Sequence, residues 1–527
     1  MSSTFKEWLF TTDHKRIGVL YLIGSTAAFV VAGIMALIIR LEQMDPGAQY
    51  VTAGTYNNAL YFHGAAMILA FLIPGLTGFA ANYFLPLMIG APDVAFPRIN
   101  AFSVWLFWVA IVLALLQTGI VAGGTAVDVM WTGYPPYSVD TAGNTSFYVF
   151  TVHLLGFSSI LGAVNFMVTV IYMRAPGMGW NQLNVFVWTT VAAFVLQLIF
   201  IPVLAAAVTL LLFDKYLGTN FFNPYNGGDV LLYQNLFWFY SHPAVYVIFL
   251  PAAGIIMEIV ATMGKNKVFN YKACIYGGVF GITAIGGEVW IHHLYVTGMP
   301  DWLRVGMMVT TLLISVPVGL YVMSMWGTLY KASITYNTAM MYAAACYYLV
   351  LLGGLTGIPL AMTSITVHMS ETSFVHAHFH FIMAMFSTFA VFASVYYWFP
   401  KMTGRLADSM LSYLGFWLTF IGVNMTFWPL FIIGVDGMPR RYMDYEMFPQ
   451  FASYHHISTY GALVVSAGVA CMVINWVVSA FNGKPSPDNP WGSKSLEWTH
   501  CPNPPGPGNF PKPVTVSEDW TPYNYGK

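Results

Sequence analysis

Of the 13 histidines in the chain, seven fall within four long apolar stretches. His63 lies in one and His242 in a second. Adjacent His292 and His293 lie in a third, and His376, His378 and His380 open a fourth. An ionisable side chain inside a bilayer costs on the order of several kcal/mol unless it is paired or ligated. A lone example such as His153 reads as a hydrogen bond to a neighbouring helix; the clustered set does not. Imidazole is a common axial ligand of heme iron and also suits copper, so six of these histidines can hold two hemes and one further metal. His378 and His380 are two residues apart, about 200° around a helix, so they face opposite sides and can each serve a different heme. His292 and His293 sit about 100° apart and can reach one metal if another helix brings a third ligand, for which His242 is the candidate. Tyr246 follows His242 by four residues and shares its helix face, which places a phenol beside that metal.

Such residues have to be carried by bilayer-spanning helices, and the composition demands the same. Of 527 residues, 57% are hydrophobic and 8% charged, whereas a soluble surface alone needs about a quarter of its positions charged. The expected fold is all-α, a polytopic membrane bundle. Apolar windows of spanning length fall at 16–40, 57–88, 102–122, 146–173, 185–213, 229–261, 272–296, 305–329, 339–365, 373–400, 410–434 and 455–480, about twelve helices. With the N-terminus inside, fifteen of the 20 Lys and Arg fall at the termini and in the even-numbered loops. Arg40, Lys215, Arg304, Arg440 and Arg441 fall outside, as the positive-inside rule requires, so both termini are expected to be cytoplasmic. The chain divides into an N-terminal cytoplasmic segment, 1–15, a transmembrane catalytic domain, 16–480, and a Pro/Gly-rich cytoplasmic tail, 481–527, read as an extended strap. The polar start MSSTFKEWLFTTDHKRIG argues against a cleavable signal peptide. A net charge of −1 without a basic stripe excludes nucleic acid as a partner. Cys274, Cys346, Cys471 and Cys501 stand far apart and form no CxxC.

The stations TTDHKRIG, IIRLE, PLMIGAPDVAFPRIN, HLLGFSSILGAVNF, FWFYSHPAVY, VWIHH, AHFHF, YYWFPKMTG and GMPRRYMDY run in order along the chain, ending at LEW. In these the chain resembles subunit I of the heme-copper oxidase superfamily, cytochrome c oxidase type. The resemblance implies a low-spin heme on His63 and His380, a high-spin heme on His378, and a copper ion on His242, His292 and His293. It also implies a covalent link between Tyr246 and His242. It places Arg440, Arg441 and Trp131 at heme propionates and Arg40 near a formyl group, hinting that at least one heme is A-type. Buried carboxylates of this kind need charge-assisted donors. Implied partners are subunit II with the electron-receiving centre, other small membrane subunits, and cytochrome c or quinol as donor. The implied location is the cell inner membrane or an equivalent energy-coupling membrane.

The pattern breaks where protons should travel. Asp93 and Asn100 match the mouth of one proton route, but the glutamate that usually ends it is Ala244; Tyr240 and Ser241 match a known Tyr-Ser variant. The second route normally carries a PTGxK stretch, and here PVGLY supplies Val318 and Tyr321, with Ser324 remaining. Glu288 precedes His292 by four residues, so on a continuous helix the two share a face. A buried carboxyl there is expected to relay protons in place of the missing glutamate, with a plain helix contact or metal ligation as alternatives. At the outer edge, SETSFVHAHFH puts Ser370 and Glu371 where the family has a metal-binding His and an Asp, so a magnesium site is doubtful, and His368 and His376 are extra. The resemblance implies reduction of O2 to water, with proton uptake and pumping. The alternative is a nitric oxide reductase of the same superfamily, favoured by the lost Lys and Glu and the gained Glu288. Tyr246 favours O2, because the iron and copper readily provide three of the four electrons and a linked tyrosine the fourth. A transporter gives no reason for HH paired with AHFHF.

Overall fold

The computed structural model describes residues 3–118 and 126–525. The end of the third window, 119–122, and Lys527 lie outside the described residues. Among the described residues eleven helices are long and apolar enough to cross a membrane. In chain order, with one shorter apolar helix as α7, they are α1 (His14–Glu42), α2 (Ala53–Met88), α3 (Pro97–Leu116), α4 (Thr145–Tyr172), α5 (Val185–Leu217), α6 (Val230–Gly264), α7 (Ala273–Gly286), α8 (Asp301–Leu329), α9 (Thr338–Ala361), α10 (Ser373–Thr403), α11 (Ser409–Val435) and α12 (Pro449–Asn482). Helices form because a bilayer leaves no water to pair with backbone groups, so each segment satisfies its own. Polar caps start them: Asp13 accepts from Lys15 N at 2.8 Å, Asp229 from Leu231 N at 2.8 Å and Asp408 from Leu411 N at 2.9 Å.

The helix that carries His242 is the most enclosed. In α6, 89% of the apolar window is buried, against 17% in α8 and 22% in α12, so α6 forms the axis of the bundle. It packs along α5 and also meets α8, α9 and α10. Helices α11 and α12 pack along each other through small residues: a Cβ on Gly461 would stand 2.6 Å from Thr426 N, and one on Gly422 2.6 Å from Val465 N. Three helices contain π-helical stretches, at Ala66–Leu72 and Pro74–Ala80 in α2, Ala273–Val279 in α7 and His380–Met385 in α10; such turns recur at functional sites.

The seventh span differs from expectation. Instead of one helix over 272–296, α7 stops at Gly286, the chain bends through 287–289, and Trp290–Leu294 forms a 3₁₀ turn. Two glycines mark the break for a steric reason: a Cβ on Gly286 would lie 2.7 Å from Tyr246 Cδ2, and one on Gly287 2.8 Å from Phe200 Cζ. Glu288 falls in this bend and is exposed. It therefore shares no helix face with His292, and the buried-carboxyl premise of its relay role does not hold.

The tail lies across one end of the bundle as a strap. Lys401 Nζ donates to Cys501 O at 2.7 Å, Asn509 Oδ1 accepts from Lys15 Nζ at 2.8 Å, and Gln182 Nε2 donates to Ser517 O at 2.9 Å.

Candidate functional site

His63 Nδ1 lies 3.1 Å from Ala32 O and His380 Nδ1 2.8 Å from His376 O. A carbonyl only accepts, so both rings carry their proton on Nδ1 and keep the Nε2 lone pair free. The two rings are parallel within 6°, their centroids 6.4 Å apart. Two imidazoles bonded at roughly 2 Å to one metal midway between them have centres roughly 6 Å apart, so the pair fits the axial positions of one heme. His378 turns the other way, its Nδ1 3.1 Å from Thr356 Oγ1 on α9. His378 and His380 thus diverge, as two positions on a helix should.

His242, His292 and His293 bring one nitrogen each to within 4.8 Å of the others, a metal-ligating group among the described residues. His242 Nδ1 stands 3.2 Å from His293 Nε2. An N–H···N bond and two lone pairs converging on a cation both give that distance, and the third imidazole, at 4.4 Å between ring centres from each of the others, favours the cation. Outer partners orient these ligands. Trp238 stacks on His293 at 3.6 Å and 7°, and His292 Nδ1 meets Thr311 Oγ1 at 3.4 Å. His242 Nε2 is buried and has no hydrogen-bond partner. The Tyr246 ring lies beside it, 4.9 Å between centroids and 66° between planes.

At the outer edge, Glu371 takes both of its side-chain hydrogen bonds from Arg440, Nε to Oε2 at 2.9 Å and Nη2 to Oε1 at 2.5 Å. Burial raises the Glu371 carboxyl, and Arg440 more than offsets this and holds it below its ordinary value. With both oxygens committed to a guanidinium and Ser370 in place of an imidazole, these residues do not fit a magnesium ion. Arg441 has no hydrogen-bond partner among the described residues and is free for an anionic group. Trp131 packs edge-on to Trp238, 5.7 Å between centroids, and so touches the stack that backs His293. Arg40 is buried in α1 and held by Gln43 Oε1 at 2.9 Å, His455 O at 3.1 Å and Thr459 Oγ1 at 3.2 Å, with Nε left unpartnered. His376 packs 4.5 Å from the His380 ring, and His368 is exposed.

On the proton side, Asn100 Nδ2 donates to Asn82 Oδ1 at 2.6 Å, and Tyr21 Oη contacts Ser103 Oγ at 3.1 Å and Ser158 Oγ at 2.9 Å. Asn82, Tyr21, Ser103 and Ser158 line a small internal cavity with Thr77 and Ser159. Asp93 lies within electrostatic reach of His14, and burial raises its carboxyl. Sequence reasoning missed Tyr21, Asn82, Ser103 and Ser158, whose only signal was polarity inside apolar windows, and His14, which precedes the first window. Tyr240 and Ser241 are buried on α6 and make no hydrogen bond among the described residues; Ser324 Oγ donates to Leu320 O at 3.0 Å on its own helix. The Tyr321 hydroxyl is buried and unpartnered.

Comparison with known proteins gives the same picture. Residues 16–464 match the family described as cytochrome c and quinol oxidase polypeptide I. The chain is 42% identical over 518 residues to cytochrome c oxidase subunit 1 of Thermostichus vulcanus, covering 98% of this chain and 92% of that one. It is 40% identical over 519 residues to the Synechocystis sp. protein of the same name, with the same coverage. A solved heme-copper terminal oxidase dimer shares the fold, with a TM-score of 0.73 at 18% identity over 92% of this chain and 85% of that chain. These names give a nitric oxide reductase no support. The converging histidines, the bundle that holds them and the match along almost the whole chain lead to one conclusion: the chain belongs to the cytochrome c and quinol oxidase polypeptide I family and is a multi-pass, heme-copper oxidoreductase subunit.

Proposed function

We propose that the chain reduces O2 to water, taking electrons from cytochrome c or quinol through subunit II and a low-spin heme held by His63 and His380. His378 holds the second heme, and His242, His292 and His293 hold the copper. The observation that carries this reading is the bare, buried Nε2 of His242 beside Tyr246. It favours the covalent link and a tyrosine able to give one electron and one proton at the metal. When bound, the hemes and copper supply electron storage and the oxygen chemistry. Around them Arg441, Arg440 and Trp131 would receive propionates, and the unpartnered Arg40 Nε–H would donate to a polar group of the low-spin heme. Asp93, His14, Asn82 and Asn100 collect protons, and Tyr240 and Ser241 stand at the far end of that route. Both termini and the 481–527 tail lie on the cytoplasmic face of the cell inner membrane, and 16–480 is the catalytic domain.

The test is to purify the complex, reduce it with cytochrome c and supply O2 or NO separately. The expected result is O2 consumption at least tenfold above that of Tyr246→Phe. NO consumption without O2 turnover, or a reduced-minus-oxidised spectrum without heme bands, overturns the proposal.

A further inference from the structure

Two fully buried carboxylic acids at the strap end of the bundle have no part in the chemistry above. Glu258 lies on α6 near its end, and Glu497 lies on the strap in the short helix Leu496–Thr499. They are 3% and 1% exposed. Glu258 is well supplied, accepting from Tyr523 Oη at 2.5 Å, Asn184 Nδ2 at 2.9 Å and Phe186 N at 3.2 Å. Glu497 is not: Oε1 accepts from Ser495 Oγ at 2.7 Å, and Oε2 is buried without a partner. The two acids lie within electrostatic reach of each other. Two buried carboxyls so placed disfavour double ionisation, so the pair keeps a proton.

A run of hydroxyls lies in the same end of the bundle, and on the Glu497 side Ser495 Oγ, bonded to the carboxyl, stands 3.0 Å from Ser493 Oγ. Tyr397 Oη on α10, within electrostatic reach of Glu497, donates to Thr262 Oγ1 at 3.0 Å. Thr262 in turn meets Tyr525 Oη at 3.0 Å, and Tyr525 lies within reach of Glu258. Beyond Glu258, on the side of α8, stands Tyr321 with its buried, unpartnered hydroxyl, in reach of Glu258 and Cys274.

We propose that Glu497 and Glu258 form a proton-holding pair that passes one proton at a time from the strap side of the bundle toward Tyr321. The inference rests on the oxidase reading, since it assigns these protons to O2 reduction. In the step, the Glu497 carboxyl gives its proton to the Tyr397–Thr262–Tyr525 chain, which delivers one to Glu258. Glu497 is left as a carboxylate until the adjacent aqueous phase reprotonates it, and no electron moves. Burial pushes the Glu497 carboxyl up to about 7, close to working pH. The groups that face it are Glu258 from α6, Lys401 and Tyr397 from α10, and Ser495 and Cys501 from the strap.

The experiment compares Glu497→Gln and Glu258→Gln with wild type in the whole complex. It reads turnover against pH and the carboxyl C=O region of the reduced-minus-oxidised infrared spectrum. Expected are a full heme complement, turnover lowered at least fivefold with a flattened pH profile near 7, and a deuterium-sensitive C=O band lost in Glu497→Gln and shifted in Glu258→Gln. Full turnover with the wild-type pH profile in either variant overturns the proposal. If Glu497→Gln does not assemble, Glu258→Gln carries the test alone: an unmoved band or pH profile there also overturns it. A wild-type complex with the carboxyl band but no O2 turnover defeats the oxidase reading instead.

Discussion

At the scale of single residues, the proposed metal ligands are held by what touches their far nitrogens, and that makes them separable by mutation. His63 and His380 depend on backbone carbonyls, which no substitution removes, whereas His378 depends on Thr356 and on the bare surface of Gly357. A Cβ on Gly357 would lie 2.9 Å from His378 Cε1. Gly357→Ala should therefore displace His378 and leave the His63–His380 pair intact. The high-spin heme should fall to under half occupancy, read from the CO difference spectrum, while the low-spin band stays near full height. Equal loss of both hemes would contradict this. The candidate histidines themselves stood out in the sequence, because six of them in apolar windows have few bland explanations. Their partners were not: Thr356, Thr311 and Ala32 are ordinary residues whose roles come only from which helix they meet.

At the scale of elements, eleven spans were legible from apolar length and the seventh was misread. Its residues stay apolar through Gly286–Gly287, so hydropathy carries no sign of a break; the cause is tertiary, the approach of Tyr246 and Phe200 to the two glycines. The break has a functional consequence. A 3₁₀ turn advances about 120° per residue, since it has 3.0 residues per turn, and it lets His292 and His293 both address His242 where the helix ends. It also leaves Glu288 exposed rather than on the His292 face. Glu288→Gln should accordingly keep O2 turnover within about twofold of wild type, since a carboxyl outside the packed interior has no buried proton to relay. Oxygen uptake by the purified variant checks this, and a tenfold loss would restore the relay role. The proton routes were half legible: Asp93 and Asn100 sit in a recognisable stretch, whereas Tyr21, Ser103 and Ser158 come from three helices and meet only in space.

At the scale of the whole molecule, the strap joins chain ends to helices far apart in sequence, and its ionisable groups give the fold a pH dependence of definite sign. Glu497 is raised from 4.5 to about 7 in the folded chain, burial being the main cause. The folded state then binds a proton that the unfolded chain has released, so stability is greatest below about 4.5 and falls as pH rises toward 7, with no further loss above. A shift of this size corresponds to at most about 3 kcal/mol at 1.36 kcal/mol per unit. Asp93, also raised by burial, acts in the same direction. Glu371 acts oppositely, because its carboxyl is lowered by Arg440; its contribution is present above about 4.5 and is lost only as pH falls below that. Buried histidines, which must charge on unfolding, act oppositely across pH 5 to 7.5, so the Glu497 contribution is read as the difference between wild type and Glu497→Gln, which cannot ionise. The apparent unfolding temperature of the variant minus that of wild type, taken at one scan rate because such unfolding is often irreversible, should increase from pH 5 to pH 7.5. Limited proteolysis should show the strap cut faster at pH 7.5 than at pH 5.5 in wild type and equally at both in the variant. A slope with pH that is the same in Glu497→Gln as in wild type would show that the strap is not clamped through a protonated Glu497.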